Sequence, residues 1–168
     1  MREPTDGIVV ALTGASGVIY GVRLLEALQN LGVQTTLVVS RTAERILELE
    51  TNFNLDQIRK LATVSYEEDD LFAPIASGSY VFNLKGMGIV PCSMKTLAAI
   101  AHGYSDNLIS RAAEVTLKEK RRLVLVPRET PLTPIHLRNM LLLAELGATI
   151  FPPMPSFYDQ PNTLEDVI

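Results

Sequence analysis

The stretch Gly7–Gly21, GIVVALTGASGVIYG, decides the fold. An apolar run, IVVAL, enters three glycines spaced G-x-x-G-x-x-x-G, and a segment with helical apolar spacing follows. That order reads as a β-strand, a tight turn and a helix. Turns of this kind aim unpaired backbone N–H groups at an anion, and the helix dipole adds to the attraction. No Lys follows the glycines, which argues against a Walker-type clamp on a triphosphate. Glycines so spaced also serve plain packing. The strand–turn–helix context favours the phosphate of a mononucleotide or dinucleotide.

Outward from this stretch the pattern repeats. Gln34–Ser40 (QTTLVVS) and Arg122–Pro127 (RLVLVP) are continuous β-rich apolar runs, and Gly86–Pro91 and Ala148–Pro152 are shorter candidates. Continuous rather than alternating runs suit parallel strands covered on both faces. Helical patterns lie between them at Val18–Leu31, Thr42–Glu50, Met94–Ala101, Leu108–Leu117 and Pro134–Leu146. The first stops at Gly32, and the last begins with Thr133 as cap and Pro134 at the first helical position. Alternating strands and helices predict an α/β fold: a single domain over residues 1–168, with a Rossmann-like (flavodoxin-like), doubly wound parallel sheet.

Bulk properties narrow the function. The chain has 168 residues, 47% of them apolar, enough for one full core. Its formal net charge of -4 argues against a nucleic-acid partner, which needs a basic face. A single cysteine, Cys92, precludes an internal disulfide and fits a reducing compartment. The N-terminus MREPTDG lacks a signal-peptide core, and no apolar run reaches the roughly 20 residues a membrane span takes. A cytoplasmic protein with no membrane span is expected.

In an open parallel sheet, ligands bind beyond the carboxyl ends of the strands. The residues that should converge there are Gly14, Ala15 and Ser16, then Ser40, Cys92, Ser93, Arg128, Glu129 and the PPMPSFY segment. Hydroxyls, amides, one guanidinium, one carboxylate and a phenol suit an anionic ligand with an aromatic part. Ser93 reads equally as an ordinary N-cap. Glu50, at a helix end, and Lys118, in the charge run LKEKRR, read as solvated. His102 and His136 have no metal-ligand spacing, so no metal is expected. Cys92 reads as a small buried residue.

The segments TGASGVIYG, SGSY, PCSMKTL, NLISRAAEVTLKEKRRLVLVPRETPL and FYDQP together resemble the UbiX-type flavin prenyltransferases, over about Gly7 to the end of the chain. The resemblance implies an FMN-binding enzyme that joins a dimethylallyl group, from dimethylallyl monophosphate, to N5 and C6 of reduced FMN without a metal. The product, prenylated FMN, would serve a UbiD-type decarboxylase in ubiquinone-related or aromatic-acid metabolism. Gly14, Ala15 and Ser16 match the family's FMN-phosphate turn, and Ser40 a further FMN contact. Ser93, Met94, Lys95 and Thr96 match the second FMN-binding turn. Arg128 matches an arginine between cofactor and substrate phosphate. Glu50 and Glu129 match the two site glutamates, and Arg111, Lys118 and Tyr158 match residues near the prenyl phosphate. Lys118 is implied to reach across a subunit interface of a homododecamer. Family members continue with a C-terminal helix and tail, which are expected to lie beyond Ile168. The chain has no Trp to act as an aromatic lid.

Three rival readings are weighed against this one. The related cysteine decarboxylases share the fold, but the chain reads PCSMKT where they carry P-A-S-A-N-T, and it lacks their P-x-M-N-x-x-M-W motif. A short-chain dehydrogenase would need Tyr-x-x-x-Lys, and no Tyr has Lys four positions on. A non-catalytic flavin carrier would have no use for Glu50, Glu129 and Lys118 together. In the transfer itself, departure of an allylic phosphate builds negative charge that preorganised cations stabilise. Loss of the C6 proton then requires a base, either Glu129 or the departing phosphate.

Overall fold

The computed structural model describes residues 6–158 and 160–168. The first five residues of the N-terminal stretch and Asp159 of FYDQP lie outside the described residues. Six strands form one wholly parallel sheet: β1 (Ile8–Leu12), β2 (Thr35–Val39), β3 (Val64–Glu67), β4 (Gly86–Cys92), β5 (Arg122–Pro127) and β6 (Thr149–Ile150). Their order is β3-β2-β1-β4-β5-β6. The chain winds outward from β1 in one direction, then restarts at β4 and winds in the other, the order of a Rossmann fold. The doubly wound parallel sheet expected from the sequence is present.

The pleat divides the core in two. Val10, Leu12 and Leu37 pack under α1 (Val18–Asn30), α2 (Arg41–Glu50) and α3 (Leu55–Arg59). Val9, Ala11, Ile89, Leu123 and Leu125 face the other way, in a cluster with residues of α4 (Gly78–Val81), α5 (Met94–Ala101), α6 (Leu108–Lys118) and α7 (Pro134–Glu145). Apolar residues on both pleat faces make the strand sequences continuous rather than alternating. Gly21 explains the seat of α1: a Cβ there would collide with the Val90 carbonyl oxygen and lie 2.8 Å from Leu12 Cγ. The helix therefore lies against β1 and β4 at the point where the winding reverses.

The structure departs from the predicted elements. β3, α3 and the four-residue α4 are additional. The last candidate strand shrinks to Thr149–Ile150, since the prolines at 152 and 153 have no N–H to offer a ladder. On the α1 face, β4 and β5 remain partly uncovered. An apolar groove of about 720 Å³ runs over Val90, Val124 and Val126 between Leu24 of α1 and Phe151. Among the described residues, no helix is long and apolar enough to cross a membrane.

Candidate functional site

Because every strand is parallel, α1, α2, α5 and α7 all start at the carboxyl edge of the sheet. Three of these starts surround the reversal point between β1 and β4. Gly17 precedes α1 with φ +94°, a left-handed conformation that only glycine adopts without strain. Ser40 caps α2 by accepting from the Ala43 amide, and its own amide donates to the Leu12 carbonyl at 3.0 Å. Ser93 caps α5 by accepting from the Thr96 amide at 3.2 Å.

Thr13 joins two of these starts. Its hydroxyl donates to the Pro91 carbonyl at 2.9 Å and accepts from the Ser93 amide at 2.7 Å. Its own amide also donates to Pro91, at 3.1 Å. The residue is 1% exposed. The β1 turn and the β4 turn are thus one hydrogen-bonded unit. Sequence reading passed over Thr13, although a hydroxyl at a strand end directly before the glycines is the signal that could have found it.

Glu50 is the largest change from the residue-level reading. Although exposed, its carboxylate accepts from the Gly17 amide at 2.8 Å, across 33 residues of sequence. It remains an exposed helix end, and it is also tied to the glycine turn. Within that turn the Ala15 amide donates to the Thr13 carbonyl. The Gly14 and Ser16 amides and the Ser16 hydroxyl have no partner among the described residues. These free donors at the start of a 13-residue helix suit one phosphate group, and the crevice at the winding reversal suits the nucleotide attached to it.

The other predicted residues fall into two groups. Arg128 and Glu129 follow β5 directly at the carboxyl edge, both exposed. Arg128 has no hydrogen bond or ion pair among the described residues, and Glu129 accepts only from the adjacent Thr130 amide, at 3.0 Å. Met94 and Thr96 lie in the first turn of α5, and Lys95 pairs with Asp106 at 3.3 Å. Tyr158 is 88% exposed in the irregular segment after β6.

Lys118 stands apart from the two turns, whereas Arg111 lies near the start of α6, which the Leu108 amide joins to Glu68 just past β3. α6 ends at Lys118, shortly before β5 begins, which places the lysine at the amino edge, opposite the turns. Its Nζ pairs with Glu119 at 2.9 Å beside Gly78. Arg111 donates to the Ala76 carbonyl at 3.2 Å and to Glu114 at 3.1 Å. A hydrogen bond from the Ser105 hydroxyl, helped by Arg111, holds the Glu114 carboxyl below its usual range. His102 contacts the buried Asn139 side chain, and His136 completes the cap of α7.

Cys92 is fully buried, and that burial pushes its thiol up to about 12. A disulfide reagent should therefore titrate no thiol in the native protein and one after unfolding, because the thiolate is the reactive form. Rapid reaction of the folded chain would show that the β4 end opens readily.

A wholly parallel sheet in Rossmann order, with linked amide-lined turns at its reversal point, is the architecture of a nucleotide-binding α/β protein. The family model for flavoproteins matches residues 2–165. The flavin prenyltransferase LpdB of Lactiplantibacillus plantarum is 56% identical over 162 residues, covering 96% of this chain and 86% of the relative. The flavin prenyltransferase UbiX of Archaeoglobus fulgidus is 54% identical over 160 residues, covering 95% and 87%. The crystal structure of AnUbiX (PadA1) with FMN and dimethylallyl pyrophosphate superposes with a TM-score of 0.95 at 51% identity, covering 98% of this chain and 86% of that one. A dodecameric FMN-dependent UbiX-like decarboxylase from Escherichia coli O157:H7 gives 0.93 at 49% identity, covering 96% and 86%. The peptidyl-cysteine decarboxylase EpiD, at 18% identity and a TM-score of 0.70, shares the fold alone. The chain belongs to the flavoprotein family and, within it, to the UbiX-type flavin prenyltransferases.

Proposed function

We propose that this protein transfers a dimethylallyl group from dimethylallyl monophosphate to N5 and C6 of reduced FMN, and that a UbiD-type decarboxylase receives the prenylated product. The observation that carries the reading is the linked pair of turns, Gly14–Ser16 and Ser93–Thr96, which leaves free amides at the same carboxyl edge of the sheet as an Arg128 without a partner among the described residues. Reduced FMN supplies the electron-rich atoms that accept the allyl group. The Gly14–Ser16 turn holds the flavin phosphate, and Ser40, Ser93, Met94, Lys95 and Thr96 fix the flavin at the reversal point. Arg128 neutralises charge on the departing prenyl phosphate. Glu129 takes the proton from C6, and Glu50 keeps the glycine turn closed beside the flavin. Tyr158 lies on a proline-stiffened segment that walls the site.

Self-assembly is part of this reading. The 49% identical relative from Escherichia coli is described as dodecameric. Lys118 stands at the edge of the sheet opposite its own turns, so it serves a site only in a neighbouring copy. We take the working form as a homo-oligomer, a dodecamer.

The test is an anaerobic assay with reduced FMN and dimethylallyl monophosphate in the presence of a chelator, alongside the diphosphate donor. Prenylated FMN should form from the monophosphate despite the chelator. Rescue only by added magnesium would contradict metal independence. Absence of product from either donor, in protein that has taken up FMN, would sink the transferase reading.

A further inference from the structure

α7 is poorly buried for a helix of this fold. Of its 12 residues only Asn139 and Leu143 are buried. Ile135 (65% exposed), Leu137 (52%), Leu141 (60%) and Leu142 (37%) face outward, with Leu146 (57%) just past its end. These exposed side chains flank the outer line of the helix, and clustered exposed apolar residues mark contact surfaces.

Two charges lie within this surface. Arg138 and Glu145 are both exposed, and neither has a hydrogen bond or ion pair among the described residues. They are seven residues apart, about two turns, so they share one line along the helix. That spacing is too long for a pair within one helix, which forms at three or four residues. Leu141 and Leu142 lie midway between them.

This arrangement complements itself. If two copies of α7 cross antiparallel about a two-fold axis between Leu141 and Leu142, Arg138 meets Glu145 of the partner subunit, and Glu145 meets Arg138 of the partner subunit. The leucines at the centre, Leu141 and Leu142, pack on one another. Isologous contact of this kind is how two-fold interfaces are built. A closed assembly of twelve copies that is not a single ring contains two-fold axes.

We infer that the outer face of α7 is a two-fold interface between copies of this chain, with Arg138 and Glu145 as its reciprocal charge pair. The inference rests on the self-assembly proposed above and names the surface that would carry it. A leucine centre with flanking ion pairs also sets direction, since a parallel crossing would place like charges together.

Sedimentation velocity and native mass spectrometry on the full chain test this. Arg138→Glu and Glu145→Arg, each alone, put like charges together at two symmetric places. Each should weaken this contact by roughly 10²-fold or more, so that a smaller species appears at concentrations where the wild type is assembled. The double exchange Arg138→Glu/Glu145→Arg should restore the wild-type mass. Leu141→Glu is a second break at an exposed side chain, and circular dichroism should show each variant folded. Unchanged mass in both single reversals and in Leu141→Glu would overturn the interface while leaving assembly intact. Single reversals that dissociate without recovery in the double exchange would overturn the charge pairing. A wild type that is monomeric at every concentration would overturn the self-assembly reading as well.

Discussion

Glu129→Gln is expected to slow prenyl transfer in a single turnover by roughly 10²–10⁴-fold, the usual worth of a positioned acid or base, with FMN affinity nearly unchanged. The substitution retains size and the acceptor oxygen that takes the Thr130 amide, so the local turn keeps its shape. What it removes is basicity. Glu129 stands directly after β5 at the carboxyl edge, exposed, with no cation paired to it among the described residues. A carboxylate free of such a partner is available to accept a proton, here the one lost from C6. FMN affinity is unaffected because the turns assigned to the flavin are built from other strands. Stopped-flow mixing of enzyme holding reduced FMN with the prenyl donor reads the rate, and an equilibrium titration reads the affinity. A wild-type rate in the variant would assign the proton to the departing phosphate. Lost FMN binding would make the role of Glu129 structural.

Thr13→Val is expected to reduce both stability and flavin binding, although its side chain is sealed from any ligand. Valine matches threonine in shape, so packing is retained. The hydroxyl that donates to Pro91 and accepts from the Ser93 amide is lost. Pro91 keeps the bond from the Thr13 amide, whereas the Ser93 amide loses its partner at a partly buried position. An unsatisfied group of that kind costs about 1–3 kcal/mol. A urea titration should show the midpoint fall at unchanged slope. FMN affinity should fall by roughly tenfold, since a loss of about 1.4 kcal/mol in positioning the second turn is a factor of ten. Thr13→Ser should recover most of both losses, because it restores the hydroxyl. A valine variant with the wild-type midpoint would show that the two turns hold without this link.

Much of this architecture is legible in the residues. β1 and β2 are apolar runs because both of their faces are covered, β5 is apolar on both faces although one lies partly open in the groove, and Gly32, Thr133 and Pro134 mark helix ends by backbone chemistry. β3 escaped the reading because VSYE is a short edge strand that alternates apolar and polar residues. α3 escaped because it has five residues, although Asn54 and Gln57 form a capping box with a recognisable sequence. The turns Gly14–Ser16 and Ser93–Thr96 were visible because their signals are local. Glu50 was not, since nothing within LELET indicates an amide 33 residues away. Only the resemblance pointed to it, and the structure supplies the contact. Lys118 is the converse case: resemblance brings it to the site, whereas a single chain holds it at the opposite edge.

The linkage through Thr13 also bears on when the site comes into being as the chain folds. Its two hydroxyl bonds span 78 and 80 residues of sequence, a stretch that contains β2, β3 and the helices around them. Contacts at such separation form slowly, because the entropy of closing the loop is spent before the contact is made. Neither half of the chain alone contains both turns, so an N-terminal fragment that forms β1, α1 and β2 would hold only half a cradle. Flavin capture is thus a report on completed folding, and a bound flavin stabilises the whole domain by mass action rather than one loop of it.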